Sequence, residues 1–259
     1  MSTRLLEGVS PIAEGTNRSL HVREVHKSFG GVQALRDCTF DVAARTITAL
    51  IGPNGSGKTT AFNCISGFYV PDKGAVMLGD RNISGWSPSR IVHERLARTF
   101  QITRIFKRMT VLENMVVPVR RIGLKAMFWD GIQGHERERA ERLLEFVGLS
   151  RFIHDHAGHL SFGQQKLLEM AAALMAEPEI VLLDEPSGGL NPIMIDRLAG
   201  YIRELNQLGV TFLIVEHNMG FVMRLADEVI VLHHGAVISH GAPAQIRADP
   251  AVLEAYLGS

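Results

Sequence analysis

The sequence is poor in cysteine: Cys38 and Cys64 are the two among 259 residues. A single pair in a chain this long sets up no disulfide framework, and it fits a reducing compartment. Long apolar runs are also missing. Ile180–Leu183 and Val229–Leu232 fall far short of the ~20 residues needed to cross a bilayer. A membrane task would therefore need another chain to span the lipid. Residues Met1–Leu20 mix Arg4, Glu7, Glu14 and Arg18 with apolar positions, so no signal peptide is expected there. Charge of one sign is not in excess, since 27 Lys+Arg balance 27 Asp+Glu. That balance lacks the electrostatic footprint of a nucleic-acid-binding chain. Long internal repeats and low-complexity segments are absent. A composition 46% hydrophobic and 21% charged excludes disordered and collagen-like classes and leaves an ordinary globular chain.

What is present is an ordered alternation of strand and helix signals. Ser19–Val25 and Cys38–Val42 partly alternate, with a turn at Phe29-Gly30-Gly31 between them. The apolar run Ile47–Ile51 ends at Gly52 and suits a strand covered on both faces. A helix is expected over Lys58–Ser66. In the charged middle region, Ala140, Leu143, Leu144 and Val147 fall at i, i+3, i+4 and i+7, one apolar stripe of a helix that Gly148 stops. Beyond Leu160 the pattern predicts a helix at Gly163–Ala176 and a strand at Ile180–Leu183. A helix at Pro192–Leu208 and a strand at Thr211–Val215 follow, and two strands, Glu228–Leu232 and Ala236–Ser239, come last. Strands alternating with helices imply an α/β fold with a mainly parallel sheet and helical crossovers.

Two motifs carry chemistry. Gly52-Pro53-Asn54-Gly55-Ser56-Gly57-Lys58-Thr59-Thr60 fits G-x-x-x-x-G-K-[ST] between an apolar strand and a helix. Its glycines let the backbone approach a phosphate, and loop amides and the helix N-terminus supply positive potential. Lys58 neutralises β and γ phosphates, and Thr59 carries a hydroxyl suited to Mg²⁺. A dinucleotide fingerprint is excluded because G-x-G-x-x-G is absent. The second motif is the apolar strand ending in Asp184 and Glu185. Asp184 at the strand end suits holding Mg²⁺, and Glu185 can orient and polarise an attacking water. These motifs together specify Mg–ATP chemistry. His154, His156 and His159 supply no complete ligand set and read as a solvated loop.

Leu160-Ser161-Phe162-Gly163-Gln164-Gln165, one helix upstream of the acidic strand, resembles the signature motif of the ATP-binding cassette family, with Phe162 at its first glycine. The resemblance covers about Leu20 to Gly258. It implies a P-loop NTPase (RecA-like) core, an N-terminal antiparallel β subdomain and an inserted α-helical subdomain. On that basis one cassette spans 19–245, with helical residues at about 95–165, an extension at 1–18 and a C-terminal tail at 246–259. The resemblance makes Ser161, Gly163 and their helix N-terminus a binding surface for ATP held by the opposite subunit. It makes Gln101 a contact for Mg²⁺ and water, Ser187–Pro192 a loop touching the partner, and His217 a sensor of the γ-phosphate. Phe29 becomes the ring that stacks on adenine.

Gly52–Asn63, Ser66–Asp72, Ala97–Gln101, Met109–Asn114 and Glu254–Gly258 are similar to the branched-chain amino acid importer ATPases, the LivG type more than the LivF type. Urea and amide importers and lipopolysaccharide exporters share much of this pattern. The implied partners are a second cassette, identical or not, membrane permease subunits and, indirectly, a solute-binding protein. The implied location is the cytoplasmic face of the inner membrane, as a peripheral subunit. A soluble P-loop kinase would not need Leu160–Gln165 or His217. A translation or repair protein of this family would carry a second cassette or a long insertion. Arg45, before the P-loop strand, stands where the family has glycine, and Gly188-Gly189 makes the partner-touching loop small.

Overall fold

A computed structural model describes residues 18–99, 105–119, 132 and 134–257. Its N-terminal part is a hairpin. β1 (Leu20–Phe29) and β2 (Val32–Val42) pair antiparallel from Leu20↔Val42 to Phe29↔Val32. Gly30 and Gly31 close it with φ of 51° and 89°, the positive values a two-residue hairpin turn needs. β4 (Lys73–Leu78) and β5 (Arg81–Asn82) extend this antiparallel sheet in the order β2-β1-β4-β5.

A second sheet runs β10-β9-β3-β8-β7-β6. It comprises β3 (Ile47–Ile51), β6 (Leu96–Arg98), β7 (Ile180–Asp184), β8 (Thr211–Val215), β9 (Glu228–His233) and β10 (Ala236–Gly241). Its pairs are parallel except at the β9–β10 edge. Every residue of β3, β7 and β8 is buried, because both faces of the sheet are covered. The two-residue strand period divides that burial. Ile180 and Leu182 face the antiparallel sheet and α1 (Lys58–Ile65). Val181 and Leu183 face the opposite layer of helices.

That opposite layer holds α3 (Val111–Val116), α4 (Gly134–Phe146), α5 (Phe162–Leu174) and α6 (Pro192–Gln207), while α2 (Pro88–His93) lies against β6. Ala140, Leu143, Leu144 and Val147 are buried as their spacing predicts, and Gly148, at φ 72°, ends the helical run. α7 (Met219–Leu225), α8 (Pro243–Ala248) and α9 (Pro250–Leu257) follow. Ile246 and Val252 pack with Ala49, Ile51, Val229 and Val231, so the segment expected as a tail is helical to Leu257 and partly buried. The glycine that the family resemblance places at position 45 also finds its explanation, although nothing described accounts for the arginine side chain. The φ of Arg45 is 63°, a left-handed conformation that favours glycine. Thr211 Oγ1 accepts its N–H at 2.8 Å, and Asn206 Nδ2 donates to its carbonyl at 3.0 Å.

Candidate active site

The phosphate loop leaves β3 at Gly52 and enters α1 at Lys58. Gly52, Gly55 and Gly57 have φ of 148°, 78° and 105°. A Cβ at Gly52 would overlap the Leu232 carbonyl of β9, and one at Gly57 would lie 2.6 Å from the Ala34 carbonyl of β2. Gly235, in the β9–β10 turn, donates its N–H to the Ser56 carbonyl at 2.9 Å. The loop is thus pressed between two hairpins, and glycine is required where backbones meet. Ser56 is buried, Pro53 and Thr60 are half-buried, and Asn54, Gly55 and Thr59 are exposed at the rim. Lys58 Nζ donates to Gly52 O at 2.7 Å and Pro53 O at 2.9 Å. Burial lowers its pKa, and the nearby carboxylates of Glu185 and Asp184 oppose that shift. The first turn of α1 has no acidic residue, so its amide end keeps its attraction for an anion.

Asp184 is the last residue of β7 and 5% exposed. Arg98, at the end of β6, donates to its Oδ2 at 2.9 Å and to Asn63 Oδ1 and Ser66 Oγ on the α1 side at 2.7 Å each. Glu185 follows at φ 47°, a left-handed conformation that costs a non-glycine residue about 1–3 kcal/mol. Its N–H bonds Val215 O of β8 at 2.9 Å. The turn brings its carboxylate 3.7 Å from His217 Nδ1, and that imidazole is 65% exposed. Glu185, read from the acidic strand end, and His217, implied by the family resemblance, therefore lie side by side at neighbouring strand ends. Gln101 lies outside the described residues. Phe29, at the tip of β1, is 41% exposed, and its ring meets Tyr69 edge-on with centroids 5.0 Å apart.

The signature begins α5. Ser161 is its N-cap: its Oγ accepts from Gln164 N at 3.4 Å, and Gln164 Oε1 accepts from Ser161 N at 2.8 Å. Leu160 is buried, whereas Phe162 is 48% exposed. A Cβ at Gly163 would sit 3.1 Å from Met194 and 3.4 Å from Leu190. Gly189 has φ 74°, and a Cβ there would lie 2.8 Å from Phe162 Cε1. The aromatic in the signature and the glycine in the following loop are thus one arrangement.

Sequence reasoning passed over three residues. Arg98 ties the acidic strand to α1, as above. Glu216 is fully buried; its Oε1 accepts from Ser187 N at 2.8 Å, and its Oε2 from His217 N and Asn218 N at 3.1 Å each. Lys166 Nζ donates to Glu185 O at 2.9 Å. Lys166 and Glu216 did leave a signal. Lys166 shares the i, i+4, i+8 stripe of buried Met170 and Leu174, and Glu216 directly follows the apolar strand Thr211–Val215.

The sequence profile of the family described as ABC transporter matches residues 35–188, and that described as branched-chain amino acid ATP-binding cassette transporter matches 236–259. The chain is 40% identical over 249 residues to a high-affinity branched-chain amino acid transport ATP-binding protein, BraF, of Pseudomonas aeruginosa, with 92% of this chain and 97% of that one covered. Identity to LivG of Escherichia coli, a protein of the same description, is 38% with the same coverage. Among solved structures, an ATP-binding cassette of an ABC transporter in its ADP conformation superposes with a TM-score of 0.85 at 34% identity, covering 93% of this chain and 99% of that one. A dimeric bacterial ABC transporter cassette superposes with a TM-score of 0.74 at 26% identity, covering 86% and 98%. With its phosphate loop, acidic strand end and signature helix in one chain, this protein belongs to the ABC transporter family as one of its ATP-hydrolysing nucleotide-binding cassettes.

Proposed function

We propose that this cassette powers the import of branched-chain amino acids. It would be a peripheral subunit on the cytoplasmic face of the inner membrane, joined to permease subunits and fed by a solute-binding protein. Similarity to the two branched-chain transport proteins over 92% of the chain supports that solute class. No described helix is long and apolar enough to cross a membrane, consistent with permeases being separate chains. A groove of about 220 Å³ between the sheet edge and the helical layer offers Ala97, Ile105, Phe106, Val117, Ala172 and Ala176 to a permease helix. The cassette would act as a unit over about 19–245, its helical part at about 95–165 receiving that contact.

In this reading Gly52–Gly57 amides and Lys58 hold the β and γ phosphates, and Phe29 stacks on adenine. Thr59 and Asp184 provide hard oxygen donors, a set that suits Mg²⁺; Gln101 is assigned to the same ion and its water. Mg²⁺, when bound, neutralises charge on the phosphates. Glu185 orients a water and accepts its proton as the oxygen attacks the γ-phosphorus. The bond to the β-phosphate oxygen breaks, ADP leaves, and the proton departs with phosphate. His217 donates toward the γ-phosphate. Leu160, Ser161, Phe162, Gly163 and Gln164 complete the site of a second cassette, identical or not, so two chains close head to tail around two ATP molecules.

The observation that carries the hydrolytic part is the Glu185–His217 pair beside the phosphate loop. Its test is Glu185→Gln, measured for ATP affinity, dimerisation on ATP and turnover. Retained binding, ATP-stabilised dimers and a rate lowered at least ~10²-fold are expected; wild-type turnover refutes the assignment. Uptake of labelled leucine by vesicles holding the cassette and its co-purified permeases tests the solute.

A further inference from the structure

The N-terminal end of α5 and the catalytic turn of the same chain are joined by one buried side chain. Lys166 is 9% exposed, and its Nζ donates to Glu185 O at 2.9 Å and lies 3.4 Å from Pro186 O. Glu185 O also accepts from Gly188 N at 3.1 Å, while Glu185 N is held by Val215 O. The backbone of Glu185 is therefore fixed at both ends of its peptide units in a left-handed conformation that most side chains avoid. One helical turn before Lys166, Phe162 lies on the same face of α5; the ammonium is 5.6 Å from its ring centroid. That ring in turn meets Gly189, four residues past Glu185. Phe162 and Lys166 thus bracket the whole turn 185–189.

A buried ammonium is an expensive way to fill space. Glu169, Glu216, Glu185 and Asp184 offset its desolvation only in part. A methionine would fill the same volume without that penalty, so the charge calls for a reason other than packing. We propose that Lys166 is a positioning residue for hydrolysis: by gripping the Glu185 and Pro186 carbonyls it sets the carboxylate of Glu185 toward His217 and the attacking water. Because Lys166 sits on the helix that starts with the signature, the grip also ties the signature end of a chain to its own catalytic turn. The proposal rests on Glu185 being the water-activating carboxylate.

The test compares Lys166→Met, Lys166→Arg and Glu185→Gln in the full chain with its partner subunits. Lys166→Met should lower kcat at least 10-fold, leave ADP affinity within 2-fold and leave the thermal midpoint near wild type. Lys166→Arg, which keeps the donor, should recover at least half of the wild-type kcat. Hydrogen exchange needs no turnover and gives a second measure. The Gly188 amide should exchange at least 10-fold faster in Lys166→Met, with phosphate-loop amides unchanged. The proposal is overturned by wild-type kcat and exchange in Lys166→Met, by an arginine variant as poor as the methionine one, or by a kcat loss that only tracks lost folding or lost nucleotide binding. Wild-type turnover in Glu185→Gln removes the reading beneath the proposal. An inactive Glu185→Gln beside a fully active Lys166→Met removes the proposal alone.

Discussion

Replacing Glu216 by Gln should destabilise the cassette by about 2–3 kcal/mol and slow hydrolysis without touching the nucleotide loop. Three backbone amides share this fully buried carboxylate. Ser187 donates to one oxygen, and His217 and Asn218 to the other. Glutamine keeps the shape but offers a single acceptor atom. Its carbonyl can serve His217 and Asn218, which leaves its NH₂ facing the Ser187 N–H, donor against donor. A hydrogen bond to a charged acceptor contributes about 1.5–3 kcal/mol, and a stranded buried donor costs about 1–3 kcal/mol. The middle of those ranges gives the figure above. For a chain of this size it corresponds to a midpoint lowered by roughly 4–12 °C. Urea unfolding followed by circular dichroism reads the stability, and phosphate release reads the rate. Ser187 opens the loop after Glu185, and His217 carries the imidazole, so both halves of the proposed water-positioning pair should loosen. Stability within ~0.5 kcal/mol of wild type, with unchanged kcat, would refute the account.

Gly52→Ala should abolish ATP binding, read by equilibrium titration, because its Cβ would overlap the Leu232 carbonyl and neither backbone can yield; retained affinity counts against the loop geometry. Arg98→Met strands the buried Asp184 carboxylate and should cost about 3–5 kcal/mol in denaturant unfolding. Burial pushes the Cys38 thiol up to about 12 and the Cys64 thiol up to about 11. Unfolded thiols ionise near ~8.5. This contribution to stability is therefore intact below that pH and declines as pH rises through it. A thiol reagent at pH 8.5 should label the two cysteines only at the rate of unfolding, and immediate labelling of the native chain contradicts their burial.

Much of the parallel sheet is legible in the sequence because its strands are short apolar runs punctuated by chemistry. Ile47–Ile51 stops at Gly52, and the 180–183 run stops at Asp184. The amphipathic stripe at Ala140–Val147 is legible for the same reason: local period equals burial. Lys73–Leu78 is harder to see, since Gly74 and Ala75 blur its alternation, and it gains its place by pairing with β1 across about fifty residues. The supporting charges are harder still. Arg98 acquires its meaning from Asn63, Ser66 and Asp184, and Glu216 from Ser187, 29 residues upstream. Those partners are fixed by strand order, which no local pattern encodes. Glu216 is marked only by its place after an apolar strand, whereas Lys166 is plainer, because a lysine interrupting an otherwise apolar helical stripe is an anomaly that the residue spacing alone displays.

The contact between Phe162 and Gly189 bears on how such cassettes can be recombined. A loop transplanted from a relative with alanine at position 189 would bring a methyl group to 2.8 Å from the Phe162 ring and demand a backbone angle that alanine resists. A glycine-signature segment moved into this chain would leave the opposite defect, a gap above Gly189. Chimaeras should therefore retain activity only when both segments come from the same donor, and the two positions should be treated as one heritable unit, although 26 intervening residues include the whole acidic strand.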